Sequence, residues 1–445
     1  MKVNEAIKCI CRDLNHQGLG VCKVDGFPLF VADLLVGEEA LVKITKLQKK
    51  FGYGEVITRL KESPDRVEPI CPVFNQCGGC QLMHLSYLSQ LDYKVKMAEE
   101  TFKRIGHLDL KVKKIIGMDD PYYFRNKVQV PFREVDGEIE AGFFKKNTHD
   151  IVPLEVCFIQ PKLATEITKT VKVLFKKYQL PAYNEEKHQG LLRHLLIRKT
   201  IKDDYMVVFI TRSEAFLYKE EITRELIKKY PMVKSVIQNI NPLKTNVILG
   251  DKSKLLYGSE TLLDEMLGLK FHVSEKSFFQ TNHLQTEALY REIERLVAPK
   301  PDEIIVDGYC GVGTISLLLA RKAKKVYGIE IVQEAVNDAK VNANLNKINN
   351  VEFIAGRTET EIENFKALKI DTIVVDPPRK GCDKTLLETI IAKKIKKVVY
   401  VSCDVATLAR DLEILAEAYE IKEITLVDMF PQTTGVEAVC SLNLK

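Results

Sequence analysis

Two residues far apart in the chain pair a soft nucleophile with a candidate base. Cys403 follows the apolar run Val398–Val401 and precedes a helical stretch, ATLARDLEILAEA. A cysteine at the carboxyl end of a strand and beside a helix N-terminus is expected to have its thiol pKa lowered by the helix dipole, which makes thiolate available. A buried, inert cysteine is the other reading of such a position. Glu437 lies near Met429, Phe430 and Pro431. In apolar surroundings its carboxyl pKa would rise, which suits a general base. Asp376-Pro377-Pro378-Arg379 ends another strand, and its prolines stiffen a turn that holds the Asp376 carboxylate in place.

A second group has the pattern of a nucleoside site. Asp307-Gly308-Tyr309-Cys310-Gly311-Val312-Gly313 lies on a strand-to-helix turn, where glycines let the backbone approach a ligand. Ser316 stands where the dinucleotide fingerprint needs a third glycine, which disfavours a Rossmann dehydrogenase. Glu330 ends the next strand, where a carboxylate accepts both hydroxyls of a ribose; a surface acid is the alternative. The pattern alone reads as a nucleotide or S-adenosylmethionine.

Cys71, Cys77 and Cys80 have the spacing C-x5-C-x2-C around Gly78-Gly79, so the chain can wrap a metal centre, with Cys157 the leading fourth ligand. Four cysteines suit zinc or an iron–sulfur cluster, and His84 is an alternative zinc ligand. The C-x3-C-x2-C spacing of radical S-adenosylmethionine enzymes is absent. Cys310, Cys382 and Cys440 read as packing residues, and Cys9, Cys11 and Cys22 lack the spacing of a second site. Eleven cysteines in 445 residues do not make a disulfide scaffold.

The elements that must position these groups fall into three stretches. Residues 1–60 read as short strands separated by glycines, a small β-barrel, followed by a Ser63-Pro64-Asp65 linker. Residues 66–270 hold one helix-like stretch ended by Gly106 and several β-rich runs, an α+β domain with an antiparallel sheet. Residues 271–445 alternate strands with helices, the pattern of an α/β doubly wound sheet whose last two strands form an antiparallel hairpin at one edge. Such a sheet binds ligands beyond the carboxyl ends of its strands.

The net charge of +5 permits a polyanionic partner, and with no tryptophan any base stacking falls to Phe, Tyr, His or Arg. Lys43, Lys46, Lys49 and Lys50 beside Phe51 and Tyr53 could follow a phosphate backbone or form a solvated barrel rim. Arg125 and Lys127, Phe143 to Lys146, and Arg193, His194, Arg198 and Lys199 interleave cations with rings on strands, as an RNA-binding sheet would. The charged start of the chain and the shortness of its apolar runs point to a cytoplasmic protein with no membrane association.

SFFQTN (277–282), DGYCGVG (307–313), DPPRKG (376–381), SCDVATLARDL (402–412) and DMFPQTTGVE (428–437) resemble, in order and spacing, the RNA uracil-5-methyltransferase family. The first segment resembles a TRAM domain, so the likeness covers nearly the whole chain. It implies a class I methyltransferase domain, with Gln280, Tyr309, Glu330 and Asp376 lining the S-adenosylmethionine pocket. It also implies Cys403 as nucleophile, Glu437 as the base that removes the C5 proton, and a [4Fe–4S] cluster on Cys71, Cys77, Cys80 and Cys157. The target base must be single-stranded or flipped. The barrel and the cluster favour 23S ribosomal RNA over transfer RNA, and no obligatory protein partner is evident. Two departures from the family pattern are Asp404-Val405 in place of Asn-Pro and Gly435 in place of a histidine. The rivals are a non-catalytic RNA-binding assembly factor, which has no chemical reason to keep Cys403 with Glu437, and a DNA cytosine-5-methyltransferase.

Overall fold

The computed structural model describes residues 1–445 except 136, 147, 366 and 367. Five strands, β1 (Ala6–Leu14), β2 (Gly20–Val24), β3 (Phe27–Ala32), β4 (Glu39–Leu47) and β5 (Gly52–Lys61), close into a barrel in the order β1-β2-β3-β5-β4. Alternate residues point inward, so Cys9, Cys11, Cys22, Leu29, Val31 and Val42 fill the interior. Gly54 is required there, because a Cβ would lie 2.4 Å from Val42 Cγ1. The expected linker is tied down: buried Glu38 accepts from Ser63 N–H and from Arg66 Nε at 2.5 Å.

The next helix, α1 (Tyr87–Ile105), is capped by the Ser86 hydroxyl and ends at Gly106, as its sequence suggests. A short strand, β6 (Lys114–Ile116), follows. The central sheet comprises β7 (Lys127–Val135), β8 (Glu138–Phe144), β9 (Ile151–Pro153), β10 (Leu192–Lys199), β11 (Tyr205–Thr211), β12 (Val233–Ile240) and β13 (Lys252–Gly258), in the order β13-β12-β11-β10-β7-β8-β9. Helices α2 (Lys162–Lys177) and α3 (Lys219–Lys229) cover one face. The sheet is antiparallel except for β11 and β12, which α3 joins in parallel by crossing over the sheet. A hairpin of β14 (Leu262–Met266) and β15 (Leu269–Val273) leads onward through Leu267 and Gly268, both at positive φ.

The remaining elements are α4 (His283–Val297), β16 (Ile304–Gly308), α5 (Thr314–Ala320), β17 (Lys325–Glu330), α6 (Gln333–Leu345), β18 (Val351–Ala355), α7 (Thr358–Asn364), β19 (Thr372–Val375), α8 (Lys384–Ala392), β20 (Lys397–Ser402), α9 (Val405–Leu415), β21 (Tyr419–Val427) and β22 (Glu437–Leu444). Their sheet has the order β18-β17-β16-β19-β20-β22-β21-β6. The first five strands are parallel, and β19 is buried on both faces, as a helix-covered parallel strand must be. β21 and β22 form the expected antiparallel hairpin, yet β6 is the outermost strand, pairing Thr425 with Lys114. α1 also packs on this sheet, burying Ala98 and Phe102 in its core. Two elements from the expected central stretch thus belong structurally to the last one. Among the described residues, no helix is long and apolar enough to cross a membrane.

Candidate active site and a cysteine cavity

The register of the last sheet brings the chemistry together. Gly308 pairs with Val375, Val375 with Tyr400, and Ser402 with Ala438. Tyr309, Asp376 and Cys403 therefore leave three neighbouring strands at their carboxyl ends, and antiparallel β22 begins beside them with Glu437. Adjacent strands lie about 4.8 Å apart, so these groups share one crevice.

Glu437 is 3% exposed, and burial pushes its carboxyl up to about 8, with the Asp376 carboxylate adding to the shift and Arg379 opposing it. Burial raises Asp376 to about 6. Cys403 runs against the sequence-based expectation of a lowered pKa. Burial, then the Glu437 and Asp376 carboxylates, push its thiol up to about 11 against Arg379. The helix end that was to stabilise thiolate is already committed, because Asp404 caps α9 and accepts the N–H of Ala406 at 2.9 Å and of Thr407 at 3.0 Å. The Asp404-Val405 departure thus gives the helix start its own carboxylate.

On the other side of the crevice, the glycine loop needs backbone freedom. Gly311 and Gly313 have φ of 54° and 85°, and a Cβ on Gly313 would sit 2.7 Å from Phe353 Cζ. Glu330 holds this loop: its carboxylate accepts the N–H of Gly311 at 3.1 Å and of Val332 at 2.9 Å. Tyr309 is left-handed, with φ 66°, and its phenol is pushed up by burial and by the neighbouring Cys382 thiol. Gln280 lies on a segment suspended between two bodies. Asn126 donates to the carbonyls of Gln280 at 2.9 Å and Thr281 at 2.8 Å, and Asn282 donates to the Met429 carbonyl at 3.1 Å. Sequence reasoning missed the role of Ser316. Its hydroxyl donates to the buried Asp307 carboxylate at 2.5 Å, and burial raises that acid to about 7. An acid nine positions before a serine, with a glycine turn between them, is the signal that pairs them.

Cys71, Cys77, Cys80 and Cys157 line one cavity of about 360 Å³, walled by Phe74, Met83, Phe143 and Phe158. Burial raises the Cys80 and Cys157 thiols, Cys157 to about 11, and the neighbouring thiols raise both further. Among the described residues, no three Cys, His or carboxylate groups stand close enough to share one metal ion. His84 is not part of this cavity. It lies 3.9 Å from Asp33 with its ring against Phe74, and burial lowers it to about 4. Cys310, Cys382 and Cys440 are buried.

The expected RNA-facing sheet is redistributed. Arg193 is buried, its guanidinium donating to the carbonyls of Asn241 at 2.7 Å, Leu243 at 2.6 Å and Thr245 at 3.1 Å. Arg198 is buried on the carbonyls of Glu275 and Ser277, and His194 is pushed down to about 3 by burial. Arg125 and Lys127 face the cysteine cavity, where burial lowers Lys127 to about 8. Phe143 lines that cavity and Phe144 stacks on His149, while Lys145 and Lys146 are exposed. Lys199 pairs with Asp203 at 2.8 Å. On the barrel, exposed Lys43, Lys46, Lys49 and Lys50 flank a cluster of Phe30, Phe51 and Tyr53 with ring centroids 5.5–6.0 Å apart.

A family model described as tRNA (Uracil-5-)-methyltransferase matches residues 86–445, and the TRAM domain model matches residues 8–57. The chain belongs to the uracil-5-methyltransferase family. It is an S-adenosylmethionine-dependent RNA methyltransferase. An uncharacterized RNA methyltransferase of Bacillus cereus is 48% identical over 98% of this chain and 96% of its own length. An uncharacterized RNA methyltransferase of Halalkalibacterium halodurans is 46% identical over 99% and 98%. The crystal structure of Pyrococcus abyssi tRNA (uracil-54, C5)-methyltransferase with S-adenosyl-L-homocysteine superimposes with a TM-score of 0.80 at 27% identity, covering 98% of this methyltransferase and all of that chain. The TRAM barrel and the α/β fold inferred from the sequence stand.

Proposed function

We propose that the enzyme methylates C5 of a uridine in structured RNA, with Cys403 as nucleophile and Glu437 as base. The observation that carries this reading is the register of β20 and β22: Ser402 pairs with Ala438, so Cys403 and Glu437 adjoin that pair, with Asp376 at the end of neighbouring β19. C5 of uracil is a weak nucleophile. Addition of the Cys403 sulfur to C6 moves electron density onto C5, and a base must then remove the C5 proton so that the sulfur can leave. Asp376, at about 6, is charged near neutrality and adjoins the Cys403 thiol, so it stands where the thiol proton can go once C–S bond formation drives the transfer. Glu437, in its ionised form, then takes the C5 proton. Gln280, Tyr309, Glu330 and Asp376 line the place where S-adenosylmethionine supplies the methyl group.

Cys71, Cys77, Cys80 and Cys157 would hold a [4Fe–4S] cluster. What supports this reading is the donor set: four cysteines line one cavity, and thiolates are the ligands such a cluster takes. Methyl transfer moves no electrons, so the cluster would shape the RNA-facing body. The catalytic methyltransferase unit would span 271–445 together with α1 and β6, with 1–60 and the rest of 66–270 holding RNA in the cytoplasm.

The substrate we favour is 23S ribosomal RNA. Transfer RNA is the second reading, favoured by the likeness to the Pyrococcus enzyme. Labelled S-adenosylmethionine offered with separate 23S and transfer RNA transcripts distinguishes them. Label recovered as 5-methyluridine from the 23S transcript alone is expected. Label in transfer RNA alone would reverse the choice, and label at any position other than uridine C5 would overturn the reading.

A further inference from the structure

Glu437 opens β22 after a loop that has no regular structure. Val427 and Glu437 pair across the hairpin, and residues 428–436 close it. Strand pairing holds the Glu437 backbone, and the loop leading into it, with no ladder of its own, takes its hold from outside. α1 supplies the anchors. Lys94 is fully buried, and its Nζ donates to Asp428 Oδ1 at 2.5 Å and to the Phe430 carbonyl at 3.2 Å. Tyr87 Oη donates to the other Asp428 oxygen at 2.8 Å.

Gln90 lies one turn before Lys94 on the same helix face. Its Oε1 accepts the Gln432 N–H at 3.0 Å, and its Nε2 donates to Gln432 Oε1 at 3.0 Å. Gln432 is 1% exposed with φ at 67°, a conformation a non-glycine residue keeps only where its surroundings over-determine it. Its carbonyl is claimed as well, by the N–H groups of Gln81 at 3.0 Å and Leu82 at 2.9 Å, directly after Cys80.

Docking α1 does not require this polar face. Ala98 and Phe102 already bury the helix against the last sheet, and a buried ion pair docks a helix no better than well-packed apolar residues. Lys94 gives its donors to the loop, and Gln90 ties the loop to the 82–85 turn, its Nε2 also donating to the carbonyls of Leu82 at 3.1 Å and Leu85 at 2.8 Å.

We propose that Gln90 and Lys94 are positioning residues that, through Gln432 and Asp428, fix the Glu437 carboxylate against the C5 proton of the substrate. The proposal rests on the reading of Glu437 as base. In the step it governs, the C5–H bond breaks and the proton passes to Glu437. The electron pair of that bond forms the C5=C6 double bond, and the Cys403–C6 bond breaks to release thiolate. A loosened loop slows this step and leaves the earlier ones intact, so the methylated base stays bonded to the protein.

The test uses the full chain with Gln90→Leu, Lys94→Met and Glu437→Gln, an RNA substrate and S-adenosylmethionine. For Gln90→Leu and Lys94→Met the expected result is a fall in kcat of about 10- to 100-fold with KM for S-adenosylmethionine unchanged. The denaturation-resistant protein–RNA species should rise toward the level of Glu437→Gln. Should the unpaired Asp428 unfold Lys94→Met, the Lys94→Met/Asp428→Asn double variant removes both charges and is read in the same way. If Glu437→Gln accumulates the species and the α1 variants do not, the positioning role is wrong and the base stands. If Glu437→Gln does not accumulate it, the base reading fails and takes the positioning role with it.

Discussion

At the scale of single residues, the site is set by where protons rest. With Glu437 at about 8 and Cys403 at about 11, both are protonated near neutrality, while Asp376 at about 6 is charged. Glu437 can accept the C5 proton only once ionised, so the release step should accelerate as pH rises through about 8 and then level off. Single-turnover release measured across that range checks it, and a flat rate would place the acceptor elsewhere. The three groups interact, so the midpoint belongs to the cluster. The same shift has a stability consequence. The folded-state value lies above the unfolded 4.5, so stability falls as pH rises from there towards 8, and Glu437→Gln should raise Tm at pH 8 relative to the unsubstituted enzyme. Cys403, Glu437 and Asp376 are legible in the sequence because each stands at a strand end in a motif. The direction of the Cys403 shift is not, since it depends on burial in the assembled crevice and then on carboxylates from two other strands.

At the scale of elements, α9 shows why a helix N-terminus does not by itself make a thiolate. Asp404 takes up the free N–H groups and adds its own negative charge beside Cys403. Asp404→Asn keeps a good cap and removes the charge, so Cys403 should alkylate faster at a fixed pH below 11. Asp404→Ala should lose about 1 kcal/mol of stability with the cap, read as a lower Tm. Unchanged alkylation in Asp404→Asn would mean the charge does not reach the sulfur. The strand–helix alternation after residue 271 is legible from hydrophobic runs. That Lys114 pairs with Thr425 as the sheet's outer strand is not, because nothing local in a three-residue strand announces a partner so distant in sequence. Arg193 and Arg198 mislead for a related reason: on a strand, cations read as surface until the carbonyls that capture them come in from other loops.

At the scale of the whole molecule, three bodies meet behind the active site. Tyr93 of α1 donates to the Asn15 carbonyl of the barrel at 2.8 Å, and a Cβ on Gly18 would touch Leu82 and Thr434 at 3.2 Å. The cysteine loop reaches Gln432, and the cavity wall reaches Thr281. If the proposed cluster is bound, enzyme purified without oxygen should be brown and Cys80→Ser should bleach it; because the cysteine loop holds Gln432, that variant should also speed hydrogen exchange at residues 428–436. A colourless preparation with stoichiometric zinc would contradict the cluster. The central claim is that Cys403 bonds to the uridine during methyl transfer. An RNA substrate carrying 5-fluorouridine should trap that bond, because fluorine cannot leave C5 as a cation. Digestion and mass analysis of the trapped complex should find one modified peptide, with the methylated nucleotide on Cys403. A nucleotide on any other residue, or 5-methyluridine formed from the ordinary substrate with no trapped complex from the fluorinated one, would contradict it.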